Sequence, residues 1–111
     1  MNGFYAVYYT GVSGWGNAVI VVANGVVTGA DAAGGLYDGK LSEDGSGAYT
    51  IDVTLVVPAG VALVTGQTLT VPLTQSIKGP LPSTFANGQS VTLQTEMGPV
   101  NGIFKKLRDL T

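Results

Sequence analysis

The stretch AYTIDVTLVV, residues 48–57, decides the fold. Apolar side chains occupy every second position from Tyr49 to Val57, and mostly small or polar residues stand between them. Successive side chains of a β-strand point to opposite faces, so this two-residue period predicts a strand with one face in a core. Residues 68–74 and 90–94 repeat the pattern with β-branched residues that suit a pleated surface. The residues expected to share the core are Tyr49, Ile51, Val53, Leu55, Leu69, Val71, Leu73, Val91 and Leu93.

Two earlier segments are apolar on both faces. They are FYAVYY at residues 4–9 and AVIVVA at residues 18–23. The second apolar face of such a strand must be covered by a partner chain, a helix or another sheet. Symmetric pairing of two identical chains is the commonest way to cover it, so the sequence predicts a homodimer.

Glycines, asparagines and prolines separate the strand signals. Asn24-Gly25 is the dipeptide that type I′ hairpin turns prefer, and Asn87-Gly88 precedes the last alternating segment. Most prolines are expected at or beyond strand ends, but Pro72 falls inside the predicted sixth strand, which should therefore be an edge, bulged or interrupted. The predicted strands cover residues 3–10, 15–23, 26–30, 36–42, 48–57, 67–76, 89–97 and 101–108, with a short helix or irregular link over 59–65.

Strands joined by short turns predict an all-β, mostly antiparallel meander. Eight of them in 111 residues can close into a small barrel, which removes exposed sheet edges. The length fits one domain over residues 1–111.

The composition excludes several kinds of function. The chain has no Cys and no His, so zinc sites built on them, Ser-His-Asp triads and thiol nucleophiles are absent. No other nucleophile and base can be paired, so we expect a protein that is not an enzyme and uses no metal or cofactor.

Charge and hydropathy indicate whether the chain binds nucleic acid or crosses a membrane. The net charge is −2, and the basic cluster Lys105, Lys106 and Arg108 is typical of a protected edge strand rather than a nucleic-acid surface. The longest apolar run, residues 18–23, is far shorter than the roughly 20 residues of a membrane-spanning helix. No signal peptide is recognisable at the N-terminus, so a cytoplasmic location is expected.

The first half of the chain carries an ordered set of short motifs. They are Asn2–Tyr5, Gly14–Gly16, Asn24–Asp31, Leu36–Gly39 and Leu41–Asp44. In this order and spacing they resemble the start of GrlR-type negative regulators of type III secretion.

The resemblance implies a small calycin-like barrel, smaller than a lipocalin, that dimerises and regulates transcription through protein contact. In that family an acidic hairpin is associated with capture of a transcriptional activator, which implies a partner-binding role for Glu43 and Asp44. This sequence continues with Gly45-Ser46-Gly47 where the acidic run of the family goes on.

The barrel interior leaves a second function open. Eight strands enclose a space that side chains can just fill or that one small ligand can enter. The chain is therefore also a candidate carrier or sensor of a small apolar molecule. Trp15, between two glycines, is expected to plug the end of the core, with the cap of a ligand pocket as the alternative. Asp31 is expected to accept backbone N–H groups in its turn.

Overall fold

The computed structural model describes residues 1–11, 14–60, 65, 66, 68 and 70–111, and in them eight β-strands. Each strand pairs antiparallel with the next, and β8 pairs with β1, so the sheet closes into a barrel in simple sequence order. The predicted all-β, eight-stranded meander barrel is confirmed. The strands are β1 Gly3–Gly11, β2 Gly14–Ala23, β3 Val26–Asp31, β4 Leu36–Glu43, β5 Tyr49–Val57, β6 Leu73–Leu81, β7 Asn87–Thr95 and β8 Gly98–Arg108.

The part of the chain that the structure describes contains no helix. Of the predicted helix or link over residues 59–65, residues 61–64 lie outside the described residues, and the remaining ones form turns or lack regular structure. Among the described residues, no helix has the length and hydropathy needed to cross a membrane.

The β2–β3 hairpin follows the turn chemistry of its sequence. Asn24 has φ 51° and Gly25 has φ 82°, the two positive values that a type I′ turn requires. The side chain of Asn2 accepts a hydrogen bond from the Asn24 backbone N–H at 2.9 Å. The turn sets the register that pairs Ala23 with Val26, which places Val22 and Val27 in the core.

The sixth strand differs from its prediction. It begins at Leu73 rather than residue 67, because Pro72 supplies no N–H to a ladder, and it continues to Leu81. Pro80 therefore lies within the strand, not at or beyond its end. It is tolerated there because β6 pairs with β7 only at Ile77 and Lys78, so the ladder on that side has already ended. The seventh and eighth strands, in contrast, begin two and three residues earlier than predicted. Pro99 is therefore the second residue of β8.

This shift corrects part of the predicted core. Val71 precedes β6 and is 66% exposed, so its assignment to the core was wrong. Leu73 is only partly buried at the first position of the strand, and Leu69 lies outside the described residues. The core residues predicted in β5 and β7 do lie inside the barrel, where Ile51, Val53, Leu55, Val91 and Leu93 are buried.

An aromatic cluster fills one end of the barrel. Phe85, from the turn between β6 and β7, packs its ring against three others at centroid distances of 5.4–5.9 Å. Its partners are Tyr5, Phe104 and the half-buried Tyr49, and Leu81 is fully buried beside them in the same core cluster. Phe85 therefore plugs this end, the role that the sequence analysis gave to Trp15.

The two ends of the barrel should respond differently to truncation. Leu81→Ala removes a side chain from the packed end and should lower the free energy of unfolding by about 3–5 kcal/mol. Leu55→Ala acts beside an existing cavity, where fewer contacts are lost, and should cost about 2 kcal/mol or less. Urea unfolding of both variants measures the difference. Equal losses would contradict a barrel that is packed at one end only.

Candidate functional site

The end of the barrel opposite Phe85 is hollow. It contains a cavity of about 380 Å³ whose walls are mostly apolar. Small residues at inward-facing strand positions leave this space, since Gly16, Ala18 and Gly102 all line it. The larger apolar side chains around it are Val7, Ile20, Ile51, Leu55, Ile77, Leu93 and Phe104.

Trp15 stands at the mouth of the cavity. Trp15 borders the cavity but is 72% exposed, so it does not plug the barrel core. The expectation of a plug was wrong, and the alternative, the cap of a ligand pocket, stays a prediction. The neighbouring Gly16 is needed because a Cβ there would lie 2.6 Å from the ring of Tyr9. Ala32 and Ala33, from the β3–β4 turn, form another part of the rim.

Asp31 joins that turn to the cavity wall. It ends β3, and its Oδ1 accepts the backbone N–H groups of Ala33 at 3.1 Å and Gly35 at 2.8 Å. The turn interpretation of Asp31 is confirmed. The second oxygen, Oδ2, accepts the hydroxyl of Tyr37 at 2.8 Å and that of Tyr9 at 3.4 Å. All the usual acceptor positions of the carboxylate are thus occupied by groups of the chain itself.

Both of these tyrosines are neutral at neutral pH, and burial raises the pKa of each further. Desolvation is the main cause that raises the pKa of Tyr37, with additional contributions from Tyr9 and from the negative charge of Asp31. Desolvation also raises the pKa of Tyr9, followed by the charge of Asp31. Since both phenols stay protonated and donate to Asp31, their oxygens can only accept hydrogen bonds from a bound molecule.

Gln75 is the buried polar side chain of the cavity wall. It lies on β6, is 7% exposed, and its Oε1 has no hydrogen-bond partner among the described residues. The register pairs Tyr37 with Leu55 and Leu55 with Gln75, so the three residues form one row across β4, β5 and β6. A buried carbonyl without a donor is uncommon and costs free energy, which calls for an explanation.

Seven of the predicted core and pocket residues fall into two groups. Trp15, Ile51, Leu55 and Leu93 line the cavity. Val53, Val91 and Tyr49 belong to the packed core or contact it. The sequence analysis missed Tyr9, Tyr37 and Gln75, the polar residues that distinguish the cavity from an apolar void. Gln75 could have been noticed, because it continues the inward alternation of Leu69, Val71 and Leu73 in the predicted sixth strand.

Glu43 and Asp44 lie at the other end of the barrel, in the β4–β5 hairpin. Both are exposed. The Asp44 carboxylate accepts the backbone N–H of Ser46 at 2.9 Å and its hydroxyl at 2.6 Å, and these bonds lower the pKa of Asp44. Asp44 is thereby engaged in its own turn. Among the described residues, no group of three or more acidic side chains is placed to hold a metal ion.

Comparison of the chain with protein-family models, with curated proteins and with solved structures finds no match. The resemblance to GrlR-type regulators therefore stays a prediction from the quoted motifs. Function has to be argued from the cavity and the surface of the barrel.

The tyrosine pair predicts a loss of stability at alkaline pH. Above pH about 10 the unfolded chain releases tyrosine protons that the folded state retains, so stability falls as the pH rises. Each such tyrosine contributes a slope of about 1.4 kcal/mol per pH unit, and Tyr37→Phe should remove one of these contributions. Urea unfolding between pH 9 and 11 measures the slope, with Tyr8→Phe on the outer face as the matched control. A Tyr37→Phe protein that loses stability as steeply as the native chain would contradict the buried phenol.

Proposed function

We propose that the protein binds one small, largely apolar molecule inside the barrel. The observation that carries this proposal is the cavity of about 380 Å³, with mostly apolar walls and a few polar side chains. Small-molecule sites typically measure about 300–1,000 Å³ and have this composition. At roughly 30 Å³ for each water molecule, the volume equals about a dozen waters. A ligand of roughly a dozen non-hydrogen atoms suits it.

The distribution of packing supports a site rather than a poorly filled core. Protein interiors rarely contain voids larger than a water molecule, and an unfilled volume lowers stability. In this barrel the aromatic end is densely packed, and the empty volume is confined to the end where Trp15 and the β3–β4 turn form a rim. The cavity is thus both roomy and accessible.

Regulation through protein contact is the second candidate, and the outer face of the sheet favours it. The strand register aligns Val19, Ala30, Leu36 and Val56 in one row across β2 to β5. Three of them are large and exposed, by 51% at Val19, 60% at Leu36 and 43% at Val56. We propose that this outer row pairs with the same row of a second copy, because isologous pairing of identical apolar surfaces is the commonest form of association. A transcriptional activator as a further partner stays a prediction from the resemblance.

Filling the cavity should weaken ligand binding. A Cβ at Gly102 would meet Phe104 at 3.5 Å and Leu93 at 3.6 Å, ordinary contact distances, so Gly102→Val can place its methyl groups in the cavity. We expect the native chain to bind 1-naphthol in calorimetric titration and Gly102→Val to bind it at least about tenfold more weakly. Gly14→Val is the control, because a Cβ there meets no atom within 4 Å. Ala18→Leu fills the same space from β2 if the first variant folds poorly. Unchanged affinity in both filled variants would refute binding inside the barrel.

The outer row should control association. Sedimentation at micromolar concentration is expected to give a dimer for the native chain and a monomer for Leu36→Glu, because a charge in an apolar interface loses its hydration without gaining a partner. Gln94→Glu, exposed on β7, adds the same charge away from the row and should leave the dimer intact. A native chain that sediments as a monomer would refute this pairing.

A further inference from the structure

The polar side chains of the cavity also indicate which polar group its ligand carries. Resting on the proposed binding function, we infer that the ligand is an uncharged molecule with a hydrogen-bond acceptor, such as the carbonyl oxygen of a cyclic ketone or ester, which accepts a hydrogen bond from Nε2 of Gln75. Three observations support this inference: the orientation of the Gln75 amide, the hydrogen bonds of the other polar side chains and the charge of the wall.

The amide of Gln75 presents its nitrogen as the available group. The side chain lines the cavity and is 7% exposed. Its Oε1 is fully enclosed by protein atoms and has no donor, so a bound molecule cannot reach it. Nε2 of the same amide is accessible, and among the described residues it donates no hydrogen bond. The accessible and unpaired group of this side chain is therefore an N–H donor.

This orientation is the less costly of the two that the amide can adopt. An enclosed carbonyl leaves one acceptor atom unpaired, whereas an enclosed NH₂ group would leave two donors unpaired. Buried N–H groups without a partner are rarer in proteins than under-satisfied carbonyls. A half-turn of the amide would therefore raise the free energy of the unliganded barrel, and a ligand meets the donor side of Gln75.

The two tyrosines of the wall do not offer their protons to a ligand. Tyr37 and Tyr9 donate to Oδ2 of Asp31 at 2.8 Å and 3.4 Å. A ligand oxygen that took either proton would compete with a carboxylate, and hydrogen bonds to ionised acceptors are the stronger ones. The same bonds disfavour a cationic ligand, because an ammonium group would have to displace the hydroxyls to reach Asp31.

The other polar side chains of the wall are engaged or lie at the surface. The hydroxyl of Thr95 donates to the carbonyl of Gly98 at 2.7 Å. Thr65 also has an interaction partner of its own, and Asn17 is exposed. Among the described residues of the wall, Gln75 is thus the buried side chain whose donor is available to a bound molecule.

The charge of the wall disfavours an anionic acceptor. Among the described residues that line the cavity, Asp31 is the acidic side chain, and neither Lys nor Arg is present. The eight positions outside the described residues are Val, Ser, Ala, Leu or Gln in the sequence, so they add no cation. A carboxylate could accept from Nε2, but it would be desolvated and would face Asp31 without a counter-ion. The acceptor is therefore uncharged.

Two matched pairs of probes distinguish an acceptor from a donor. 1-Indanone adds a carbonyl oxygen to indane and donates no hydrogen bond. Indole has an N–H donor where indene has a CH₂ group, and its nitrogen lone pair belongs to the ring π-system, so that the nitrogen does not accept. All four molecules are uncharged at pH 7 and close to the size that the cavity suits.

Calorimetric titrations of the native chain and of Gln75→Leu at pH 7 test the inference. The variant removes the donor with little change of volume, and comparison of the two proteins cancels the difference in hydrophobicity within each pair. We expect the ratio of the association constants of 1-indanone and indane to fall about tenfold in Gln75→Leu, because the ketone oxygen is then buried without a donor. The ratio for indole and indene should not fall.

Three further measurements serve as controls. Gln94→Leu, exposed on β7, should leave both ratios unchanged. Gln75→Met provides the same comparison if the leucine variant folds poorly. Indane-1-carboxylate accepts hydrogen bonds but is charged, so it should bind the native chain more weakly than 1-indanone does.

The outcomes separate the class of ligand from binding itself. If the ratio for indole and indene falls in Gln75→Leu, the amide presents its oxygen and the inferred class is wrong. If neither ratio changes, Gln75 does not contact the ligand, and the inference is also wrong. Binding of indane-1-carboxylate as tight as that of 1-indanone would refute an uncharged ligand. In each of these cases binding in the cavity stands, whereas the proposed function itself fails if none of the four uncharged probes binds.

Discussion

Closure of eight strands fixes the width of the barrel, and every other feature depends on it. Because β1 pairs with both β2 and β8, no edge remains free to adjust, and the interior volume must be filled by inward side chains or left empty. Large aromatic rings fill it at the end where Phe85 folds inward. Glycine and alanine occupy inward positions at the other end, where the cavity lies.

The Asp31 carboxylate connects the backbone turn to the cavity wall. One oxygen holds the β3–β4 turn and the other holds the hydroxyls of two tyrosines from β1 and β4. The position of the rim and the orientation of the phenols are therefore coupled through one side chain. Such coupling preorganises a site, because the polar groups are held in place before a ligand enters. Because these four groups donate hydrogen bonds to the Asp31 carboxylate, this acidic residue can line a mostly apolar cavity without a cationic partner.

Sequence reasoning succeeded where one local rule acted alone. The two-residue period predicted β5 and the inward side chains of Ile51, Val53 and Leu55. The dipeptide Asn24-Gly25 predicted the turn between β2 and β3. Both predictions follow from backbone geometry. It failed where distant contacts decide the outcome. Val71 belongs to an alternation of apolar residues that is typical of a strand. Because β6 begins only after Pro72, Val71 does not pair with the sheet and its side chain is exposed.

The plug was misassigned for the same reason. Trp15, near the start of β2, and Phe85, in the turn between β6 and β7, are both large aromatic residues, and only the closed barrel determines which of them lies inside. Local pattern also could not reveal the Asp31, Tyr9 and Tyr37 network, because its members belong to three strands. These are the positions at which tertiary structure overrides local preference.

Gln75 is a position at which the stability of the barrel and the proposed binding of a small molecule favour different residues. A leucine at this inward position would continue the apolar wall and leave no carbonyl unpaired, so packing alone favours leucine. The amide is tolerated because the closed ladder and the aromatic end stabilise the fold independently of the cavity. Local destabilisation that the rest of the structure supports is characteristic of binding sites.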